Sequence, residues 1–235
     1  MCGRFSQTAP PDVIAQEFSL DDPPLLTPRY NIAPSQPVAA IRLHPESAKR
    51  DCVLFRWGLI PSWAEDPAIS IRMINARAET VAEKPAFRSA FRHRRCLVLA
   101  DGFYEWRREG RTKQPFYIRK RDGGPFALAG LWEPWQSAEG VAVESCTILT
   151  TGANEAMAPI HDRMPVLLDP KDYALWLDPN IRQTEALLPL LRPVPSECLT
   201  LYPVSVWVNS PGHDDPQCLA PLSANEGPAM FPSQD

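Results

Sequence analysis

The chain is expected to fold as an α+β protein: a β-rich core of short, mostly antiparallel strands, curled as a twisted sheet or open barrel, with short helices on its flanks. Proline supplies 27 of the 235 residues, about twice the usual 5% share. It is spread from Pro10-Pro11 and Pro23-Pro24 through Pro34, Pro37 and Pro61 onward, a spacing that limits helix length and favours strands joined by rigid turns. Between the prolines, apolar runs are short and rich in β-branched and aromatic residues. Hydrophobic content of 44% and charged content of 22% suit one well-buried domain, expected over residues 1–209. Residues 210–235, where Pro, Gly, Ser, Asp and Asn dominate, read as an extended or poorly ordered tail.

Taken in order, a first helix starts after Pro11, with Asp12 as N-cap and Val13, Ile14 and Phe18 on one side. A loop reaches Asn31-Ile32-Ala33-Pro34. Pro37 to Leu43 and Cys52 to Leu59 read as strands, the second placing Val53, Phe55 and Trp57 on one face. Pro85 opens a short helix carrying Phe87, Ala90 and Phe91. Short strands follow at Arg95–Ala100, Pro115–Arg119, Phe126–Leu131 and Ser145–Thr151, with Asp122-Gly123-Gly124 turning between two of them. Helices return at about 170–178 and 180–191, and a last strand lies near 199–208.

A net charge of −4 argues against a protein that coats nucleic acid by charge alone. Basic residues nevertheless gather in the middle third, in Arg88–Arg95 and from Arg107-Arg108 to Lys120-Arg121, a pattern whose default reading is solvated surface. No apolar run is long enough to span a bilayer, and the first twenty residues lack an apolar signal core. The expectation is a cytoplasmic monomer with no membrane contact. Six cysteines (2, 52, 96, 146, 198, 218) are scattered singly, and five read as small buried hydrophobes in a reducing compartment. The four histidines lie far apart without i+3 or i+4 partners, so no metal site is expected, and no cofactor either.

Cys2, directly behind the initiator methionine, would become a 1,2-aminothiol on loss of one residue. Its amine (reference pKa about 7.7–8.0) and thiol (about 8.5) sit on adjacent carbons. Against an aldehyde, the amine forms an imine and the thiol closes a five-membered thiazolidine. The alternative is a small residue at position 2 without meaning. Four clusters bear on the choice. Ile74-Asn75-Ala76-Arg77 places an amide and a guanidinium two residues apart, on one side if the segment is extended; Asn75 could equally satisfy turn backbone. Asp101 to Trp106 holds a glycine suited to a sharp turn and the carboxyl of Glu105 among aromatics, where burial would raise its pKa into a general acid–base range. Glu105 could instead be an exposed strand residue paired with Arg107 or Lys113. Pro159 to Pro165 sets His161, Asp162 and Arg163 in a proline-bounded loop, with His161 either a proton carrier or tied to Asp162. Arg56 to Trp63 is an aromatic turn; Trp57, Trp63 and Trp106 are either core or stacking platforms.

The blocks Met1-Cys2-Gly3-Arg4-Phe5, Tyr30 to Pro34, Trp57 to Pro61, Asn75 to Glu79, Asp101 to Trp106, His161 to Pro165, and Pro203 to Ser205 with Val208-Asn209 closely resemble, in order and spacing, the SRAP family of SOS-response-associated peptidase proteins. Members of that family shield abasic sites in single-stranded DNA. The resemblance runs from residue 1 to about 209 and implies the SRAP fold. It implies autocatalytic removal of Met1 and condensation of Cys2 with the ring-opened aldehyde of an abasic deoxyribose, giving a stoichiometric adduct with lyase-type chemistry and no rapid turnover. By the same resemblance, Asn75 holds the Cys2 amine, Glu105 opens the sugar ring and shuttles protons to the imine, and His161 is the second proton-transfer group. Arg4, Arg77 and Arg163 match arginines that clamp flanking phosphates. Trp106 and the Pro34/Trp63 region match surfaces on which bases stack. The implied partner is single-stranded DNA with abasic sites, junctions with duplex included. Replication-associated partners are left open.

The chain departs from the family pattern at Ala64, where many members carry a second aromatic that bears on how strongly the strand is wedged apart. The rival from another class is an N-terminal-nucleophile glutamine amidotransferase, which also begins Met-Cys-Gly; its Asn-Gly-Glu segment is missing, and Arg4-Phe5 replaces a small apolar continuation. A papain-like Cys2–His161 protease would need an internal cysteine at a helix start. A noncatalytic binding module would leave the Glu105 and His161 motifs without purpose.

Overall fold

The computed structural model describes residues 2–44 and 46–222. In chain order, strand β1 (Arg4–Gln7) leads to helix α1 (Pro11–Phe18), then to β2 (Arg29–Ile32), β3 (Pro37–Leu43) and β4 (Arg50–Trp57). A 3-10 turn at Pro67–Arg72 precedes β5 (Asn75–Arg77) and helix α2 (Arg88–His93). Five longer strands follow: β6 (Arg95–Ala100), β7 (Gly102–Glu109), β8 (Thr112–Lys120), β9 (Phe126–Gln136) and β10 (Ala142–Gly152). The short β11 (Arg163–Pro165) and β12 (Leu167–Leu168), helices α3 (Tyr173–Leu177) and α4 (Thr184–Leu187), and β13 (Leu199–Pro203) complete the order.

The strands form two sheets. One runs β13-β8-β7-β1-β2, antiparallel throughout. In the other, the pairings β4–β3, β3–β6, β6–β9, β9–β10 and β10–β4 return to their starting strand, so five strands close on themselves as a barrel. Among the described residues, only β10–β4 and β10–β5 are parallel. The mostly antiparallel α+β architecture is the one expected from the sequence.

Alternation along the strands divides the apolar residues between cores. Val38, Ala40, Cys96, Val98, Leu128 and Ile148 share one with Phe5, Phe103 and Ile118 of the first sheet. Their neighbours Ala39, Ile41, Leu97, Leu99, Ala129 and Leu149 share a second with Ile14, Phe18, Phe91 and Trp176 from the helices. Both faces of β6 are therefore covered, and all its residues are buried. Each large side chain so buried contributes about 1.5–3 kcal/mol. A third, smaller cluster, with Tyr104, Tyr117, Val208 and Cys218, covers the outer face of the first sheet.

Several local expectations are corrected. Helix α1 begins on Pro11 with Pro10 at the N-cap position, and Asp12 lies in the first turn, where its charge still favours the helix dipole. The helices expected at 170–178 and 180–191 are each half 3-10: Pro170–Asp172 precedes α3, and Leu188–Leu190, interrupted by Pro189, follows α4. The last strand stops at Pro203; Ser205 then accepts from Trp207 N and starts a 3-10 turn at Val206–Asn209.

Gly102 is not a turn residue. It lies within β7, and a Cβ there would sit 2.1 Å from the Tyr117 ring, so the glycine makes room for an aromatic. The basic run also divides: Arg95, read as solvated surface, is 3% exposed. Its five N–H groups all reach carbonyls, of Phe91, Arg92, Trp176, Asp178 and Ile181. It thereby joins the C-terminal ends of α2 and α3.

The tail reading also needs revision over 210–222. Cys218 is buried within a 3-10 turn at Pro216–Leu219, Val204 bridges Pro221, and the Asp214 carboxylate accepts the backbone N–H groups of Tyr30 and Asn31. Residues 223–235 lie outside the described residues. Among those described, no helix is long and apolar enough to cross a membrane.

Candidate active site between the two sheets

The position of Cys2 is set by how β1 is anchored. Asp101, at the corner between β6 and β7, accepts from Ser6 Oγ, Thr8 Oγ1 and the backbone N–H groups of Thr8 and Ala9. That fastens one end of β1, and the pairs Phe5↔Phe103 and Arg4↔Tyr104 zip it along β7. Phe5 meets Trp57 edge-on with ring centroids 5.1 Å apart. Cys2 then lies fully buried beyond the last pair.

The second sheet supplies Asn75. Trp57 Nε1 donates to Ile74 O at 2.9 Å, and Asn75 begins β5 beside Ile148 of β10. Asn75 Nδ2 donates to Cys2 O at 2.8 Å, a direct link between the sheets. Its Oδ1 is buried and has no hydrogen-bond partner among the described residues. A buried acceptor left without a donor is costly, and this one lies on the residue that binds Cys2.

Glu105 of β7 is 2% exposed, which overturns the exposed-strand alternative. Burial holds its carboxyl above the ordinary carboxylate range, opposed in part by His161. The Cys2 thiol is pushed far above its usual value, by burial first and by the Glu105 carboxylate next. At neutral pH it is therefore a thiol and not a thiolate. The field of Glu105 thus acts on the Cys2 thiol, and that of His161 on Glu105.

His161 sits in the loop before β11. Its Nδ1 is 3.0 Å from Arg163 N and 2.8 Å from Asp162 Oδ1. Both cannot be hydrogen bonds in one protonation state. Bare Nδ1 accepts from Arg163 N–H, whereas protonated Nδ1 donates to Asp162. The ring thus keeps a local partner through Nδ1 in either tautomer.

The remaining candidates differ in what they already hold. Arg4 Nη1 donates to Asn31 Oδ1 and Val208 O, both at 2.8 Å, and Nη2 to Asn209 O at 3.1 Å. Arg163 is bidentate on Glu79 at 2.6 and 2.9 Å and also reaches Thr150 O. Arg77 is exposed. Trp106 is half-buried with Nε1 donating to Asn209 Oδ1 at 2.8 Å. Trp57 is core, whereas Trp63 is 60% exposed.

Pro34 and Trp63 occupy two turns at the same end of β4. Ser35 N reaches Trp57 O in one; in the other, Gly58 at φ +123° starts the exit, and Leu59 N reaches Met73 O. Ala64, beside Trp63, accepts from Trp135 Nε1 through its carbonyl at 2.7 Å. No group of three or more His, Cys, Asp or Glu side chains able to hold a metal ion occurs among the described residues. Asn31, Glu79 and Asn209, which carry hydrogen bonds around these groups, lie in the sequence blocks but were given no role there, and Asp214 lies outside them.

The family model for SOS response associated peptidase (SRAP) matches residues 1–211. Abasic site processing protein YoqW of Bacillus subtilis is 43% identical over 223 residues, covering 93% of this chain and 99% of that protein. Abasic site processing protein HMCES of Xenopus tropicalis is 33% identical over 278 residues, 99% of this chain and 82% of the relative. Among solved structures, a protein from Bacteroides thetaiotaomicron superposes with a TM-score of 0.82 at 28% identity, over 94% of this chain and all of that one. A phage-related protein of Bordetella bronchiseptica gives 0.70 at 29% identity, over 86% and 94%. Fold, motif order and sequence identity agree: the chain belongs to the SRAP family.

Proposed function

We propose that this protein processes abasic sites in single-stranded DNA by forming a covalent adduct through Cys2, shielding the lesion during the DNA damage response. Hydrolysis of the Met1–Cys2 peptide bond, a self-cleavage, would free the amine; Met1 lies outside the described residues. The amine then attacks the ring-opened deoxyribose aldehyde and loses water to give an imine. The thiol sulfur adds to the imine carbon, its proton passing to the nitrogen, and a thiazolidine results. The relatives named for abasic site processing support this reading.

In this scheme Glu105 is the proton donor and acceptor for ring opening and imine formation, a role suited to a carboxyl whose pKa burial has raised. His161 moves the second proton, with its Nδ1 held locally by Asp162 while the ring does so. Asn75 holds Cys2 by its backbone carbonyl and offers Oδ1 to the freed amine. The amine is the first nucleophile, because only nitrogen can condense to the imine that the sulfur then attacks, and the sulfur is the second. Arg4, Arg77 and Arg163 contact phosphates, and Trp63, Pro34 and Trp106 support bases, stacking being worth about 1–3 kcal/mol per base. The phosphate contacts give binding that weakens with salt. Such a protein would act as a cytoplasmic monomer at exposed single strands, junctions with duplex included.

The observation that supports the reading most is the hydrogen bond from Asn75 Nδ2 to the carbonyl of a buried Cys2, next to a buried Glu105 carboxyl whose field reaches the Cys2 thiol. Incubating the protein with an oligonucleotide bearing one abasic site, followed by a denaturing gel, tests it. A heat-stable conjugate is expected with wild type and none with Cys2→Ala; a conjugate that persists in Cys2→Ala would refute it.

A further inference from the structure

The pairing of β1 with β7 ends at Arg4↔Tyr104. Cys2 and Glu105 both lie past that last registered pair. The segment after β13 bridges the two strands. Asn209 O accepts from Arg4 Nη2 at 3.1 Å, and Asn209 Oδ1 accepts from Trp106 Nε1 at 2.8 Å. One residue thus grips the neighbour of Glu105 and the residue two positions from Cys2.

The segment is itself held firmly. Asn31 Nδ2 donates to the carbonyls of Val208, Ser210 and His213 at 3.1, 3.0 and 2.8 Å. Trp207 and His213 stack with ring centroids 3.3 Å apart, and Asp214 binds Arg29 and the backbone of Tyr30 and Asn31. Asn209, by contrast, is exposed, so its side chain fills no part of the core.

We propose that Asn209 is a positioning residue for the Cys2 chemistry, holding the Cys2 end of β1 and the Glu105 segment of β7 at a fixed separation through Arg4 and Trp106. The inference rests on the aldehyde-capture reading for its kinetic consequence and on the hydrogen bonds alone for its structural one. It also separates Arg4 into two tasks, since three of its N–H contacts go to Asn31, Val208 and Asn209 before any phosphate arrives.

Asn209→Ala and Asn209→Asp proteins are compared with wild type in two measurements. One is the first-order rate of conjugate formation at saturating abasic-site DNA across pH; the other is peptide-resolved alkylation of Cys2 by iodoacetamide without DNA. Loss of the acceptor in Asn209→Ala is expected to slow capture about tenfold at every pH. It should also speed Cys2 alkylation about fivefold as the pocket loosens. Asn209→Asp, which keeps an acceptor for Trp106, should bring both back to within about twofold of wild type. Wild-type behaviour of Asn209→Ala in both measurements, or equal losses in the two variants, would overturn the proposal. Were wild type to form no conjugate, the functional reading would fall and the alkylation ratio alone would decide the positioning role.

Discussion

Arg95 and the Cys2 site are two places where polar groups are taken out of water, and the chain treats them in opposite ways. Around Arg95 every N–H finds a carbonyl, with donor–acceptor distances of 2.5–3.0 Å. Burial pushes its guanidinium down to about 10, still above neutral pH. Around Cys2, among the described residues, the sulfur has a long contact, 3.9 Å from Arg4 O, Asn75 Oδ1 lacks a donor, and the Glu105 carboxyl is held above its ordinary range. A fully satisfied group fixes helices to the barrel. An incompletely satisfied cluster keeps capacity for an incoming amine, water or sugar.

The contrast breaks first at Glu105. If the site is built for proton transfer, Glu105→Gln slows conjugate formation about a thousandfold. Arg95→Ala should leave capture by the folded fraction within about twofold of wild type. Single-turnover kinetics on both variants read this directly. Next comes stability: Arg95→Ala strands five carbonyls and should cost about 3 kcal/mol, measured by denaturant unfolding. A loss under about 1 kcal/mol would mean that the carbonyls find other donors.

A smaller effect belongs to Glu79. Its carboxylate, held below the usual range by Arg163, occupies the guanidinium fork that a phosphate would take. Glu79→Gln should tighten binding of single-stranded DNA about threefold at low salt, the gain fading as salt rises. Titration at two ionic strengths checks it. Weaker binding would make Glu79 a holder of Arg163 and not its competitor.

The smallest effect is in thermal stability against pH. With its folded pKa raised, Glu105 binds its proton more tightly in the folded protein than in the unfolded chain. Its ionisation therefore costs stability only above the unfolded carboxylate range, about 4.3, and the cost grows until pH passes the folded value. Glu105→Gln should melt above wild type at about pH 7.5, the two converging near about pH 4.

The same contrast separates what could be read in the sequence from what could not. The longer strands were legible because β-branched and aromatic runs alternate toward a core: Arg95–Ala100 and Pro37–Leu43 appear with the expected ends. Arg4–Gln7 and Asn75–Arg77 are strands only because β7 and β10 pair with them, and segments so short carry no pattern of their own. The burial of Arg95 was hidden for a related reason. Three of its five partners are backbone carbonyls more than 80 residues away in sequence, and carbonyls leave no mark on residue identity. At the site, Cys2, Asn75, Glu105 and His161 were legible as chemistry-bearing residues in separate motifs. Asn31, Asn209 and Asp214 were not, because their importance lies in which carbonyls and amides a folded strap presents to them.

The central claim is that the N-terminal amine and the thiol of Cys2 both bond to the sugar carbon. Intact mass spectrometry of the conjugate, formed without a reductant, tests it most directly. The expected mass is the protein lacking Met1 plus the abasic-site oligonucleotide minus one water, with the attachment mapping to Cys2. A conjugate that retains Met1, that survives only after borohydride reduction, or that maps to a lysine would contradict it.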